Sequence, residues 1–204
     1  TFFQLKESPF KLTPDPLFFY LSRQHEEALA HLSFGVRERK GFMILTGEIG
    51  TGKTTLSRLF LTRLSGNTKT SLIFNPSLTP VELLRAINQD FGISAEGDSK
   101  KELVDRLNEF LLKEISNGGN AVLLIDEAQN LTVECIEEIR LLSNLETEKD
   151  KLLQIILVGQ PELQQKLSLP ELRQFNQRVA LRCHLQPLTE EETEGYILYR
   201  LRMA

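Results

Sequence analysis

The chain has 204 residues, of which 41% are hydrophobic and 25% charged, and its formal net charge is −4. This length suits one sizeable α/β domain, and the composition is ordinary for a soluble globular protein. The acidic balance excludes a general attraction to nucleic acid or to an anionic membrane, although a local basic patch is compatible with it. The sequence shows no apolar run of transmembrane length and no signal-peptide pattern. Cys135 and Cys183 lack metal-binding spacing and are expected to be free cytosolic thiols.

The first 21 residues are rich in phenylalanine and contain Pro9, Pro14 and Pro16, which interrupt any regular element. We expect this stretch to lie over the domain as an ordered apolar strap. A helix is predicted over 22–40, because Ser22 is a candidate N-cap and apolar residues follow it at helical spacing. Gly41 ends this helix, and an apolar run over 41–46 predicts the first strand.

A glycine-rich loop with the spacing G-x-x-x-x-G-K-[ST] follows this strand and leads into a second helix. Its nine residues are Gly47, Glu48, Ile49, Gly50, Thr51, Gly52, Lys53, Thr54 and Thr55. Between a strand and a helix, this motif predicts a P-loop that cradles phosphates with its backbone N–H groups and with the positive end of the helix. Lys53 is predicted to contact the β- and γ-phosphates of ATP, and the Thr54 hydroxyl is predicted to ligate Mg²⁺.

Two features near this loop leave alternatives open. The strap either only completes the core or also helps to wall the adenine pocket beside the P-loop. His25 and His31 have no partner at metal-binding spacing, so we expect them to be ordinary helix-surface or nucleotide-edge residues.

The rest of the chain alternates predicted strands and helices, which indicates a parallel sheet with helices on both faces. The further strands are predicted over 69–74, 121–125, 152–158 and 179–185. The further helices are predicted over 80–91, 100–116, 132–145, 161–168 and 170–177, with a last helix beginning after Thr189.

Asp126 and Glu127 directly follow the continuous apolar strand 121–125. The alternative for this pair is a helix N-cap with a first-turn acid. Together with the P-loop, the pair instead predicts a hydrolytic site, in which Asp126 holds the Mg²⁺ shell and Glu127 acts as general base on the attacking water.

Two more catalytic residues are predicted from their positions. Gln160 ends the strand that we expect beside the P-loop strand, so its side chain is predicted to face the γ-phosphate, unless it is only a turn former. Arg178 lies at a corner between a helix and a strand, where a finger for the γ-phosphate of a neighbouring subunit is expected. Arg173 is the second candidate for this finger, and a solvated basic face is the alternative for both.

These residues together resemble the AAA+ ATPase domain of the general secretion pathway protein A (ExeA) family. The shared motifs are F-x-L-x-x-x-P-F-x-L-T-P-D-P over 3–16, F-Y-L-S over 19–22, E-A-L-A-H-L over 27–32, the P-loop, D-E-A-Q over 126–129 and V-G-Q-P-E-L over 158–163. The expected fold is a RecA-like three-layer αβα domain with a five-stranded parallel sheet in the order 5-1-4-3-2. We expect a core over 1–188 and a truncated helical lid over 189–204, without the lid's sensor arginine and with weakened nucleotide affinity or hydrolysis.

The resemblance implies an Mg²⁺-dependent ATPase that forms a ring or dimer of identical subunits. It implies the cytoplasmic domain of an inner-membrane protein that works with a membrane partner protein. The expected processes are type II secretion, through assembly of the secretin, or biogenesis of a type IV or mannose-sensitive haemagglutinin-type pilus.

Three rival hypotheses can be weighed from the residues. One is a DNA-transposition helper that assembles on DNA with ATP, which the acidic balance disfavours. Another is a switch that holds ATP with little turnover, which Glu127 disfavours. Protein threading is also disfavoured, because 74–77 is not an aromatic-apolar-glycine pore loop.

Overall fold

The computed structural model describes residues 5–10, 18–74, 76–94, 99–147 and 150–204. A sheet of five parallel strands lies at its centre. The strands are β1 (Phe42–Gly47), β2 (Thr68–Ile73), β3 (Asn120–Ile125), β4 (Gln154–Gly159) and β5 (Val179–Leu185). Their order across the sheet is β2-β3-β4-β1-β5. Read from the opposite edge, this is 5-1-4-3-2, so the predicted order is confirmed.

Eight helices are present in the described part of the chain. They are α1 (Arg23–Arg37), α2 (Lys53–Thr62), α3 (Pro80–Asp90), α4 (Lys100–Ser116), α5 (Val133–Leu142), α6 (Glu162–Leu167), α7 (Arg173–Gln177) and α8 (Glu190–Met203). Short 3₁₀ turns at Ala128–Asn130 and Pro170–Leu172 join some of them.

The helices pack on both faces of the sheet and thereby form the predicted three layers. Alternating side chains of β1 show the division, since Phe42 and Ile44 join one core cluster, while Met43 and Leu45 join the other. The first cluster includes residues of α3 to α7, and the second includes residues of α1 and α2. Burial on both faces explains why the three central strands, β1, β3 and β4, are almost continuous apolar runs.

Several predicted boundaries differ from the observed ones by up to three residues. The first helix ends at Arg37 rather than at residue 40, because Arg39 adopts a left-handed φ of 49° that a right-handed helix cannot accommodate. The fourth strand begins at Gln154, since Leu152 and Leu153 are buried in the core but belong to the preceding loop. The strap residues 1–4 and 11–17, Asn75 and the loop residues 95–98 lie outside the described residues.

The described part of the N-terminal segment contacts α8 near the end of the chain. Arg200 of α8 is buried, and its guanidinium donates hydrogen bonds to the carbonyl oxygens of Phe18 at 2.9 Å and Pro9 at 2.5 Å. The backbone N–H of Lys6 donates to the carbonyl oxygen of Ala204 at 2.6 Å. The N-terminal segment and α8 are therefore held together, and a division of the chain at residue 188 stays a prediction.

Candidate active site

The glycine-rich loop spans the connection from the end of β1 to the start of α2. Gly50 and Gly52 have left-handed φ values of 84° and 83°, which residues with a Cβ atom rarely adopt. Gly47 meets a different constraint, because a Cβ atom there would lie 2.7 Å from the carbonyl oxygen of Leu185 on β5. The loop therefore needs glycine twice for backbone conformation and once for the close approach of a neighbouring strand.

Lys53, the first residue of α2, points its ammonium group back into the loop. Its Nζ atom donates hydrogen bonds to the carbonyl oxygens of Gly47 at 2.7 Å and Glu48 at 2.8 Å. Burial lowers the pKa of Lys53, while the carboxylates of Glu127 and Asp126 act in the opposite direction. A desolvated cation beside the phosphate-binding loop suits the negative charge of a polyphosphate chain.

Thr54 and Asp126, the two predicted metal ligands, are in direct contact. The Thr54 hydroxyl donates a hydrogen bond of 2.7 Å to Oδ2 of Asp126, whose side chain is buried. Hydroxyl and carboxylate oxygens are hard ligands of the kind that Mg²⁺ prefers. Among the described residues, no group of three or more His, Cys, Asp and Glu side chains could hold a metal. A site with one carboxylate suits Mg²⁺, which commonly takes its other ligands from phosphates and water.

Glu127 has an unusual backbone conformation, with a left-handed φ of 54°. Non-glycine residues in this region cost roughly 1–3 kcal/mol and are concentrated at functional sites. Its backbone N–H donates to Oδ1 of Asp126 at 2.9 Å, and its Oε2 atom accepts a hydrogen bond of 2.5 Å from Nε2 of Gln129. Both acidic residues thus lie at the end of β3, and hydrogen bonds hold each of their side chains.

Gln160 follows the last residue of β4, which lies between β1 and β3 in the sheet. This order brings the end of β4 between the P-loop and the acidic pair. The backbone N–H of Gln160 donates to Oε1 of Gln129 at 3.1 Å, so the ends of β3 and β4 are joined. Contact of the Gln160 side chain with a γ-phosphate stays a prediction.

Arg178 precedes β5 and therefore lies at the amino edge of the parallel sheet, opposite the edge that carries the P-loop. Its Nη1 atom donates hydrogen bonds to Oγ of Ser143 at 3.1 Å and Oδ1 of Asn144 at 2.5 Å. Arg178 and Arg173 are both exposed. The structure does not bring Arg178 to the P-loop of its own chain. The predicted contact of Arg178 with a γ-phosphate can therefore be made only at the site of a neighbouring subunit.

A cavity of about 210 Å³ opens beside the P-loop. Its lining includes Phe19, Tyr20, His25, Thr51, Leu188 and Tyr196. Phe19 and Tyr20 belong to the predicted strap, and Tyr196 comes from α8. Aromatic and apolar walls beside a phosphate-binding loop suit a planar base.

Of the two alternatives left open for His25, the helix surface is wrong, because the residue is buried beside the P-loop. Its Nε2 atom lies 2.9 Å from the carbonyl oxygen of Thr51, and its ring packs edge-on against Phe19 with centroids 5.0 Å apart. The available signal was its position three residues after the N-cap Ser22, where a side chain can return to the cap; here Nδ1 accepts from the Ser22 backbone N–H at 3.2 Å.

The P-loop after β1, the Asp-Glu pair after β3 and the insertion of β4 between these strands define a P-loop nucleotide-binding domain of the additional-strand class. The family described as "AAA domain" matches residues 36–167. The chain belongs to this AAA domain family.

Comparison with a known protein identifies the family more narrowly. It is 47% identical over 204 residues to General secretion pathway protein A of Aeromonas hydrophila, which makes it an ExeA-like AAA+ domain. The alignment covers 100% of this chain and 37% of that relative, so the chain spans little more than a third of its length.

Solved structures confirm the fold at low sequence identity. The ORC2 protein of Aeropyrum pernix has a TM-score of 0.67 at 17% identity, over 94% of this chain and 56% of that one. Cdc6p of Pyrobaculum aerophilum has a TM-score of 0.67 at 19% identity, over 93% of this chain and 54% of that one.

Proposed function

We propose that this chain binds ATP with Mg²⁺ and hydrolyses it. The observation that carries the proposal is the 2.7 Å hydrogen bond between Thr54 and Asp126, with Glu127 next in the chain. It brings two candidate Mg²⁺ ligands and a candidate base to one edge of the sheet, beside a loop shaped for phosphates.

Each part of this edge has a separate task. The loop N–H groups and Lys53 bind the phosphates, and Thr54 and Asp126 hold Mg²⁺. Bound Mg²⁺ supplies positive charge that neutralises the phosphate oxygens. Glu127 accepts the proton of the attacking water through its carboxylate, and Gln160 contacts the γ-phosphate from the end of β4.

The cavity between the P-loop and α8 is proposed to hold the adenine ring. Phe19 and Tyr20 wall it on the side of the strap, and Tyr196 walls it on the side of α8. In this proposal α8 is the first helix of a helical lid that begins at residue 189.

Hydrolysis is proposed to need a second copy of the chain. Arg178 is exposed and lies far across the sheet from its own P-loop, but the same position can reach the nucleotide of an adjacent subunit in a ring or dimer. A guanidinium supplied in this way raises the rate by roughly 10³–10⁵.

The identity to General secretion pathway protein A supports a role in type II secretion. We infer that this domain lies on the cytoplasmic side of the inner membrane. Its ATP cycle would act, through a membrane partner protein, on assembly of the secretin. The alternative process is biogenesis of a type IV or mannose-sensitive haemagglutinin-type pilus. Within the described residues, no helix is both long and apolar enough to cross a membrane.

The test is phosphate release by the chain and by Glu127→Gln, with ATP binding measured in parallel. We expect Glu127→Gln to bind Mg²⁺-ATP like the wild type and to release phosphate roughly 10²–10⁴ times more slowly. A wild-type rate no higher than that of Glu127→Gln would contradict hydrolysis and favour an ATP-bound switch.

A further inference from the structure

We propose that Gln129 is a positioning residue for ATP hydrolysis, which holds the carboxylate of Glu127 in place by tying it to the end of β4. The inference rests on the proposed function, because it gives Glu127 the role of base. It extends that function to a side chain that touches neither phosphate nor metal in the proposed site.

The amide of Gln129 is used at both of its ends. Its Nε2 atom donates to Oε2 of Glu127 at 2.5 Å, and its Oε1 atom accepts from the backbone N–H of Gln160 at 3.1 Å. A backbone N–H can only donate and a carboxylate can only accept, so the two partners fix the orientation of the amide. Glutamine meets both demands because it carries a donor and an acceptor on one rigid group.

The surroundings leave room for this bridge and little more. A Cβ atom at Gly159 would lie 2.7 Å from Oε1 of Gln129 and 3.1 Å from Leu163. Any larger residue at position 159 would therefore displace the amide from its place between the two strand ends.

The backbone of the bridging segment is anchored separately by α6. The ammonium group of Lys166 donates hydrogen bonds to the carbonyl oxygens of Gln129 at 2.5 Å and Leu131 at 2.7 Å. Gln129 is thus fixed through both its main chain and its side chain.

This arrangement has a direct consequence for Glu127. One carboxylate oxygen is bound to Gln129, so rotation of the carboxylate is restricted and the other oxygen, Oε1, is left to accept the proton of water. A general base must stand within hydrogen-bond reach of that proton, so a loss of orientation lowers the rate of the chemical step more than it lowers nucleotide affinity.

The experiment compares two substitutions that separate the two ends of the amide. Gln129→Met keeps the length of the side chain and removes both hydrogen bonds. Gln129→Glu keeps an acceptor for the N–H of Gln160 but replaces the donor with a carboxylate that repels Glu127. We expect both to lower kcat roughly tenfold or more, with KM and the dissociation constant for ATP changed less than about twofold.

The matched control is Gln165→Met, an exposed glutamine on α6 whose replacement is expected to leave kcat unchanged. A double-mutant cycle then separates positioning from a general structural defect. If Gln129 acts through Glu127, Gln129→Met has no further effect on the residual rate in the Glu127→Gln background.

Equal losses from Gln129→Met in both backgrounds, or an unchanged kcat in Gln129→Glu, overturn the positioning role while leaving the proposed function intact. A wild-type rate equal to that of Glu127→Gln removes the proposed function, and the inference with it. Thermal melting of each variant shows whether it is folded; if Gln129→Met is not, Gln129→Glu decides the question alone.

Discussion

The Nε2 atom of His25 lies 2.9 Å from the carbonyl oxygen of Thr51, so a buried side chain of α1 supports the phosphate-binding loop. The backbone N–H of Ser22 donates to Nδ1, and a carbonyl oxygen can only accept, so this hydrogen-bond pattern assigns Nε2 as the donor to Thr51. The shape of the loop therefore depends on a residue outside the motif.

Replacing His25 by alanine is expected to destabilise the protein by about 1–3 kcal/mol, because a buried carbonyl oxygen loses its donor. ATP affinity should fall too, by roughly tenfold for each 1.4 kcal/mol of loop ordering that binding must then supply. Chemical unfolding and a fluorescent-nucleotide titration measure the two effects. His31→Ala, an exposed histidine of the same helix, is the control, and an equal response of both variants would contradict the assignment.

Lys53→Met is expected to weaken ATP binding by roughly 10- to 100-fold, because it removes charge-assisted hydrogen bonds to the phosphates. It should also change how stability depends on pH without nucleotide. Burial lowers the pKa of Lys53 in the folded protein, so the unfolded chain binds the proton more tightly. The wild type should therefore gain stability relative to Lys53→Met as the pH rises from the lowered pKa toward 10.5. Urea unfolding of both proteins at pH 7, 8.5 and ~10 checks the sign.

Thr54→Val should raise the Mg²⁺ concentration needed for half-maximal hydrolysis, because a methyl group replaces a metal-ligating hydroxyl. Asp126 also loses its partner at 2.7 Å, and we expect a loss of about 1–3 kcal/mol in stability. Thr54→Ser keeps the hydroxyl and should behave almost like the wild type. Identical Mg²⁺ titrations of Thr54→Val and Thr54→Ser would exclude the ligand role.

Arg178→Ala should reduce the ATPase rate of the oligomer by roughly 10³-fold or more. The rate per subunit of the wild type should rise with protein concentration, because each site needs a neighbour. Mixing Arg178→Ala with Glu127→Gln offers the sharper test, since a mixed interface pairs an intact Glu127 with an intact Arg178. Activity should reappear on mixing, whereas Arg182→Ala alone should retain its rate. An inactive mixture would contradict a finger supplied by the neighbour.

The features that depend on residue type and spacing could be predicted from the sequence. The apolar run of β1 is buried on both faces, and the left-handed conformations of Gly50 and Gly52 are those that the motif requires. The strand order followed from the resemblance to AAA+ domains, in which the strand that ends near Gln160 lies between the P-loop strand and the Asp-Glu strand.

The remaining features depend on contacts between distant polar side chains. Glu127 has a left-handed backbone conformation, and the side chain of Gln129 donates a hydrogen bond to the Glu127 carboxylate. A glutamate at position 127 does not predict this turn from sequence. The contact of His25 with Thr51 likewise joins residues 26 positions apart, which local spacing does not encode. The role of Arg178 stays a prediction, because it concerns a neighbouring subunit. The division at residue 188 also stays a prediction, because Arg200 of α8 is hydrogen-bonded to the N-terminal segment.

The hydrogen bonds from Arg200 to Phe18 and Pro9 have a kinetic consequence for the base cavity. Its aromatic walls come from the segments before α1 and after β5, and the arginine couples them, so the two walls are expected to separate only when these hydrogen bonds break. The rate at which spent nucleotide is exchanged for fresh would then depend on how often a single buried guanidinium releases its carbonyl partners.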